Sequence, residues 1–410
     1  MITDRITTKH KLFIMMSFFS YVVLAIPFTI QGANAPVTMD YYGISAAQQG
    51  AIMTVQSIGG LCTALFIAMN GEKYNKIHAI ATGLLILCLA ASAIGFAPAY
   101  MVLLAIIAVV GVGNAFIDIM MNGVVTDVYP RHKNTVLPLV HAFFSVGAML
   151  TPVFVTLTVN PNDPVSFSRP FRLLGVIAAV VFLFYLLNGR RIRGETPYVD
   201  MGAMRKRATE NPAEIFKTGP AWYLMGVGFL YFTFQLGTIA WLPTYAIRNI
   251  GVDFVTGGMM LTAFFGGTLP MRFLGPLILK KLTARTLYMV SCFSAAALVL
   301  AVLFTANAQA AFVLVTAAGF MQGSSVATFI LMCCDTFPDR TASASSLATL
   351  ASSTAALTAP LWMGAMSDLT GFRLPFILIC CALFASAGLV LRFRPAPAGA
   401  AEGPGDKNKT

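Results

Sequence analysis

The sequence predicts an all-α membrane protein, with twelve transmembrane helices in two six-helix bundles related by pseudo-two-fold symmetry. Three observations carry that expectation. The 410 residues are 57% hydrophobic and only 10% charged, too few polar groups to cover a soluble surface of that size. Crossing the hydrocarbon takes about 20 mostly apolar residues, and such runs recur along the whole chain. The two halves also match each other at one fixed offset of 208 positions, which marks an internal repeat.

In chain order, the predicted spans of the first half fall at 12–36, 46–70, 77–96, 99–127, 136–158 and 171–188. Those of the second half fall at 219–246, 254–279, 285–305, 310–337, 343–365 and 373–391. Residues 1–188 then make an N-terminal bundle and 219–392 a C-terminal bundle. The polar stretch 189–218 is a cytoplasmic linker, and 393–410 is a tail of disordered composition. Lys9, Lys11, the apolar run after them and "ANA" at 33–35 imitate a cleavable signal peptide. That reading is rejected, because the run is too long for a signal and its removal would break the repeat.

The repeat aligns without gaps at its marked positions. Gly50 meets Gly258, Thr54 meets Thr262, Gly111 meets Gly319, Asp127 meets Asp335, and Pro152 meets Pro360. Tyr129-Pro130 falls opposite Phe337-Pro338, and Asn114 opposite another amide, Gln322. Six spans followed by six in the same orientation imply an axis along the membrane normal and a site near the midplane between the bundles.

A formal net charge of +11 raises the question of a nucleic-acid partner, and the placement of the basic residues answers it. Of the 27 Lys and Arg, 22 fall in segments placed on the cytoplasmic side, four outside (Arg169, Arg172, Arg248, Arg373) and one, Arg272, within a span. That is the positive-inside rule, with both termini cytoplasmic, and not a nucleic-acid footprint. All seven cysteines lie in spans and read as small packing residues, with no metal-ligand spacing. Gly111 and Gly113 imitate part of a dinucleotide fingerprint, but no strand precedes them and the third glycine is missing. No cofactor is expected, and the soluble loops are too short for a catalytic domain, so the chain reads as a non-enzyme.

Several stretches resemble a known family, the major facilitator superfamily, over essentially the whole chain. "MNGEKYNKIHA" at 69–79 occupies the loop where that family carries a Gly, Asp, Arg, Gly, Arg, Lys signature. Glu72, Lys73 and Lys76 stand as its equivalents, and Asn75 departs from it. "GVGNAFIDIMMN" at 111–122 and "LVHAFFSVGAMLTP" at 139–152 are similar to the fourth and fifth spans of the fucose:proton symporter family. "FLYFTFQLGTIAWLPTYAI" at 229–247 is similar to that family's seventh span, with Gln235 where an acid is common; the first span offers Gln31 and Asn34 but no carboxylate. The resemblance implies the major facilitator fold, a central path lined by the first, fourth, seventh and tenth spans, and a sugar as the solute.

Candidate site residues follow from depth and face. Asp118 lies twelve residues before Pro130, roughly 18 Å up the helix at 1.5 Å per residue, and it is the only acid placed deep in a span. Low dielectric penalises a bare charge there, which suits the carboxyl to carry a proton. Asn114, Asp118 and Asn122 recur at four-residue steps and share one helical face. His141, eleven residues beyond Pro130 on the next span, returns to the same depth and pairs with Asp118 as a proton-coupling group. Gln31, Asn34, Asn114, Asn122, Gln235, Trp241, Tyr245 and Gln322 offer amides and aromatic faces suited to a hydroxylated solute. Glu72, Lys73 and Arg272 are assigned to gating or structural charge, with Arg272 near enough to the inner face to snorkel or pair with an acid.

These expectations converge on a monomeric secondary transporter of the cytoplasmic (inner) membrane. It moves a small polar solute by alternating access with proton symport. The alternative is a proton-antiport exporter of drugs or metabolites, which the 32 Phe and 21 Met would suit. A nutrient sensor on the same fold would call for a long signalling extension, and the tail is short.

Overall fold

The computed structural model describes residues 11–70, 75–128, 133–195, 212–338 and 341–392. Glu72, Lys73 and the 393–410 tail lie outside them, as does most of the linker. Among the described residues the regular structure is all helical.

The first half contains α1 (Lys11–Ala33), α2 (Ala35–Tyr42), α3 (Ala46–Asn70), α4 (Lys76–Ala93), α5 (Tyr100–Val128), α6 (Lys133–Thr158) and α7 (Arg169–Glu195). The second contains α8 (Gly219–Tyr245), α9 (Phe254–Ile278), α10 (Ala284–Val302), α11 (Ala308–Gln322), α12 (Ser325–Thr336), α13 (Thr341–Thr370) and α14 (Arg373–Arg392). The repeat is visible in the helix starts: Lys11 and Gly219, Ala46 and Phe254, Lys76 and Ala284, Tyr100 and Ala308, and Lys133 and Thr341 each stand 208 positions apart. The start of α1 at Lys11 and the end of α14 at Arg392 lie on one face of the molecule, here the terminal face; the opposite one is the far face.

Local chemistry sets the helix boundaries. Asn75, Asp253, Thr283 and Asn307 cap the starts of α4, α9, α10 and α11 with side-chain oxygens, satisfying N–H groups that have no partner within the helix. Ser45 and Gln48 form a reciprocal capping box before α3. The first span does not run straight to 36 as expected. Asn34, followed by Pro36, separates α1 from α2.

Among the described residues, eleven stretches are long and apolar enough to cross a membrane. The predicted span at 343–365 lies in α13, a 30-residue helix outside that set, because its many Ser and Thr lower its apolarity. Thr354 and Thr358 hydroxyls donate to the carbonyls four residues back, at 2.9 Å each, so the helix carries them without unsatisfied groups. The span expected at 310–337 is broken at Gly323–Ser324 into α11 and α12, and α7 continues through 189–195, a turn and more past the expected end.

Two hydrophobic cores follow the two halves. One gathers buried side chains from Phe13 to Val181 and Tyr185, joined by Phe254. The other gathers those from Ile215 to Val390, joined by Ala25, Met39, Ala46, Met53 and Ala148. Within each lobe a repeated glycine brings helices into backbone contact. A Cβ on Gly111 would overlap the Gln56 carbonyl of α3, and one on Gly319 would overlap the Phe264 carbonyl of α9.

The lobes meet along two seams, α3 against α13 and α6 against α9. In the first, Thr54 donates to the Leu357 carbonyl at 2.9 Å and Gly50 abuts the Pro360 carbonyl. In the second, Thr262 donates to the Met149 carbonyl at 3.0 Å and Gly258 faces Thr156 and Pro152. Gly50, Thr54 and Pro360, and Gly258, Thr262 and Pro152, all matched in the sequence repeat, therefore meet at the interface between lobes.

Candidate functional site

Asn114, Asp118 and Asn122 stand on successive turns of α5. The Asp118 carboxylate accepts a hydrogen bond from Asn122 Nδ2 at 3.0 Å. This leaves Asn122 Oδ1 facing away, where it accepts from the Tyr21 hydroxyl of α1 at 2.5 Å and lies 3.1 Å from His141 Nε2 of α6. An oxygen opposite Nε2 assigns that nitrogen the proton. Tyr21 and His141 also touch each other, with the hydroxyl 3.4 Å from Nε2 and the rings edge to face at 4.7 Å.

The backbone carbonyl of His141 accepts from Arg272 Nη1 of α9 at 2.9 Å. A series of hydrogen bonds thus runs from Asp118 through Asn122 to the side chains of Tyr21 and His141, and the His141 backbone carbonyl makes the contact with Arg272 in the second lobe. Asp118, Asn122, His141 and Arg272 each keep partial solvent exposure, whereas Tyr21, Ile117 and Met121 are fully buried. Arg272 does not snorkel out to the terminal face. Among the described residues no carboxylate lies within ion-pair distance of it, and the ion pair they contain is Arg169 with Asp163.

The other expected site residues fall into three groups. Asn114 sits one turn from Asp118, buried, with neither side-chain polar atom bonded. Gln31 and Asn34 belong to a separate buried cluster nearer the far face. There Gln31 Nε2 donates to Gln56 Oε1, Gln49 Nε2 donates to the Gln31 carbonyl at 3.4 Å, and Asn34 Nδ2 donates to the Phe167 carbonyl at 2.7 Å. A cavity of about 10 Å³ beside Gln31, Thr38 and Gln49 has room for roughly one water.

In the second lobe, Trp241 is buried with its indole N–H donated to the Pro360 carbonyl at 3.1 Å, and Tyr245 packs on Phe376 with ring centroids 4.9 Å apart. Both rings are engaged within the protein in this arrangement. Gln235 is half-buried, and Gln322 is buried at the α11–α12 break with both amide atoms unbonded. Glu72 and Lys73 lie outside the described residues.

Sequence reasoning missed Tyr21, the residue that ties Asn122 to α1, along with Gln49 and Gln56. The available signal was a hydroxyl-bearing ring in "SFFSYVVLAI", ten residues into a span and so at the depth of the acid.

Comparison with known proteins agrees with the fold. The chain is 23% identical over 252 residues to Protein TsgA homolog of Erwinia tasmaniensis, an alignment covering 61% of each protein; it therefore spans under two thirds of that relative's length. Among solved structures, a bacterial homolog of the human lysosomal transporter Spinster, inward-facing and unoccupied, superposes with a TM-score of 0.77 at 16% identity, covering 95% of this chain and 99% of that one. A D-xylose-proton symporter superposes with a TM-score of 0.74 at 12% identity, covering 94% and 98%. At such identities these structures speak to the fold. The model of the Major Facilitator Superfamily matches residues 17–355, and the chain belongs to that family of membrane transporters.

Proposed function

We propose that this transporter moves a small polar solute across the cytoplasmic membrane by proton symport, with Asp118 as the coupling group. The observation that carries the reading is the polar chain from Asp118 through Asn122, Tyr21 and His141 to Arg272. It starts at an acid deep in one lobe and crosses to the other, so a proton on Asp118 alters a network that spans the moving interface. His141 serves as the second titratable group, and Glu72 and Lys73 as charges of the terminal-face loop. The D-xylose-proton symporter among the fold neighbours supports coupling and a hydroxylated solute by analogy alone.

The lobes are taken as 1–188 and 219–392, joined by a cytoplasmic linker at 189–218, with the 393–410 tail and both termini cytoplasmic and the protein monomeric. With the far face outside, both seams closed over the far half correspond to a carrier shut toward the exterior. A bare carboxylate disfavours the rocking motion and a neutral one permits it, so solute crosses only with a proton.

The test is Asp118→Asn in proteoliposomes. The neutral amide mimics the protonated acid, so counterflow exchange is expected to persist while accumulation driven by a pH gradient is lost. Loss of both activities in equal measure would make Asp118 a binding or structural residue instead.

A further inference from the structure

The second lobe presents donors without acceptors at the level of the acid. Arg272 on α9 uses Nη1 on the His141 carbonyl, and its Nε has no hydrogen-bond partner. Within electrostatic reach of its guanidinium lies Tyr231 of α8, fully buried, with its hydroxyl facing Ser325 of α12. Gln322 and Ser324, both buried, hold unbonded amide and hydroxyl groups at the break between α11 and α12. The break abuts the next turn of α9, since a Cβ on Gly275 would stand 3.2 Å from Ser324 Cβ.

The break also opens a new helix. α12 runs for 12 residues, and its N-cap Ser324 makes no side-chain capping bond, so its first N–H groups lack a side-chain acceptor and the positive end of its dipole favours an anion. Under the 208-residue offset, Val326 in α12 takes the place that Asp118 takes in α5. The cradle therefore lies opposite the acid at the same level. A partly exposed arginine without a carboxylate, hydroxyl and amide donors around it, and a helix N-terminus beside it all favour negative charge. A neutral sugar would leave the guanidinium uncompensated.

We infer that the solute is a small organic oxyanion, anchored by Arg272 with the α12 N-terminus and its serines. This rests on the transport reading and names its substrate class. It also supplies a reason for coupling. An anion bound at Arg272 takes up the charge of the guanidinium, and a proton on Asp118 keeps a bare carboxylate out of the loaded interface, so a monovalent anion and one proton cross together.

The experiment measures thermal shifts and proteoliposome uptake of purified protein with glucose, gluconate and glucose 6-phosphate, probes matched in carbon skeleton. Arg272→Gln and Arg272→Lys are compared with the native protein, and monodisperse elution is the control for folding. One or both anions are expected to raise the melting temperature at millimolar concentration and glucose not to. Gluconate alone would identify a carboxylate site, and the phosphate ester alone a phosphate site. Arg272→Gln should weaken anion binding about 10- to 100-fold, the range for a hydrogen bond to a charged group, and Arg272→Lys should retain part of it. Stabilisation by glucose alike in native and Arg272→Gln protein, or no shift with either anion, overturns the inference. Uptake of glucose unaffected by Arg272→Gln would leave the transport reading standing without it. Anion binding without uptake would do the reverse.

Discussion

The two seams between the lobes share one packing device and differ in their polar clamps. Both use a Gly and a Thr on one helix, a turn apart, against a Pro-containing turn on the other: Gly50 and Thr54 with Leu357 and Pro360, Gly258 and Thr262 with Met149 and Pro152. The clamps are not duplicated. At the far end of the α3–α13 seam, the Asp368 carboxylate accepts from the Ala46 and Ala47 N–H groups at 2.9 and 2.8 Å. In the α6–α9 seam, the added contact is Arg272 on the His141 carbonyl, beside the acid. The repeat keeps the packed surfaces between the lobes alike, while the unpaired additions place one clamp at the far end and the other beside the acid.

The largest effect that separates the seams is expected at their glycines. A methyl on Gly50 meets backbone, the Pro360 carbonyl and Leu361 Cα, which cannot yield without moving α13. A methyl on Gly258 meets Thr156 Cγ2 at 2.6 Å, a side-chain atom that can turn aside. Gly50→Ala should therefore cost about 2–3 kcal/mol of closed-state stability and Gly258→Ala about 1 kcal/mol or less. Melting temperature and far-face labelling of an Ala51→Cys probe would both register the difference. Equal losses would mean that the seams are mechanically equivalent.

That comparison also shows what the sequence could reveal. The helices were legible because hydropathy is a local property, and the repeat was legible because Gly50, Thr54 and Pro152 recur with their mates at one spacing. What those residues touch was not legible, since a contact such as Thr54 with Leu357 depends on how two lobes dock. Asp118 and His141 could be matched in depth by counting residues along a hairpin. Their link through Asn122 and Tyr21 depends on helix rotation, which a continuous apolar run does not encode. Gln31 and Asn34 share a plausible depth with a solute path yet turn into a separate cluster, for the same reason. The break at Gly323–Ser324 was hidden because small residues keep a span apolar while ending its hydrogen-bond ladder.

Asp368→Ala comes next in size. It removes two charge-assisted bonds that hold α3 to the opposite lobe, so the far-closed state should lose about 1–2 kcal/mol. The Ala51→Cys probe should label faster from the far face, with little change in the stability of a carrier held open on that side. A loss of the same size in both states would make Asp368 a plain helix cap.

The paired threonines should give smaller and matched effects. Thr54→Val and Thr262→Val each remove one neutral hydrogen bond to a carbonyl across the seam, worth about 1 kcal/mol. Because the two seams lie in different places and share no partners, the double variant should show the sum of the two losses. A coupling well above the additive value would show that the seams open as one unit, and the comparison between them would then describe a single hinge.

Asp253 provides the smallest and most local test. It stands before α9 where Ser45 stands before α3, and it accepts from Thr256 N at 2.9 Å and Thr256 Oγ1 at 2.8 Å, so its cap stays within its own lobe. Those bonds, the backbone N–H of Thr256 first, hold its carboxyl below the usual carboxylate range. Because the folded value is the lower one, the contribution is complete above the unfolded value of about 4 and fades as pH falls through the folded one. Asp253→Ala should cost about 0.5 kcal/mol at neutral pH, equally in far-open and far-closed carriers, with the gap to native closing below about pH 4. A state-dependent cost at Asp253 would mean that helix capping alone can bias the rocking motion, and the cross-lobe placement of Asp368 would lose its special meaning.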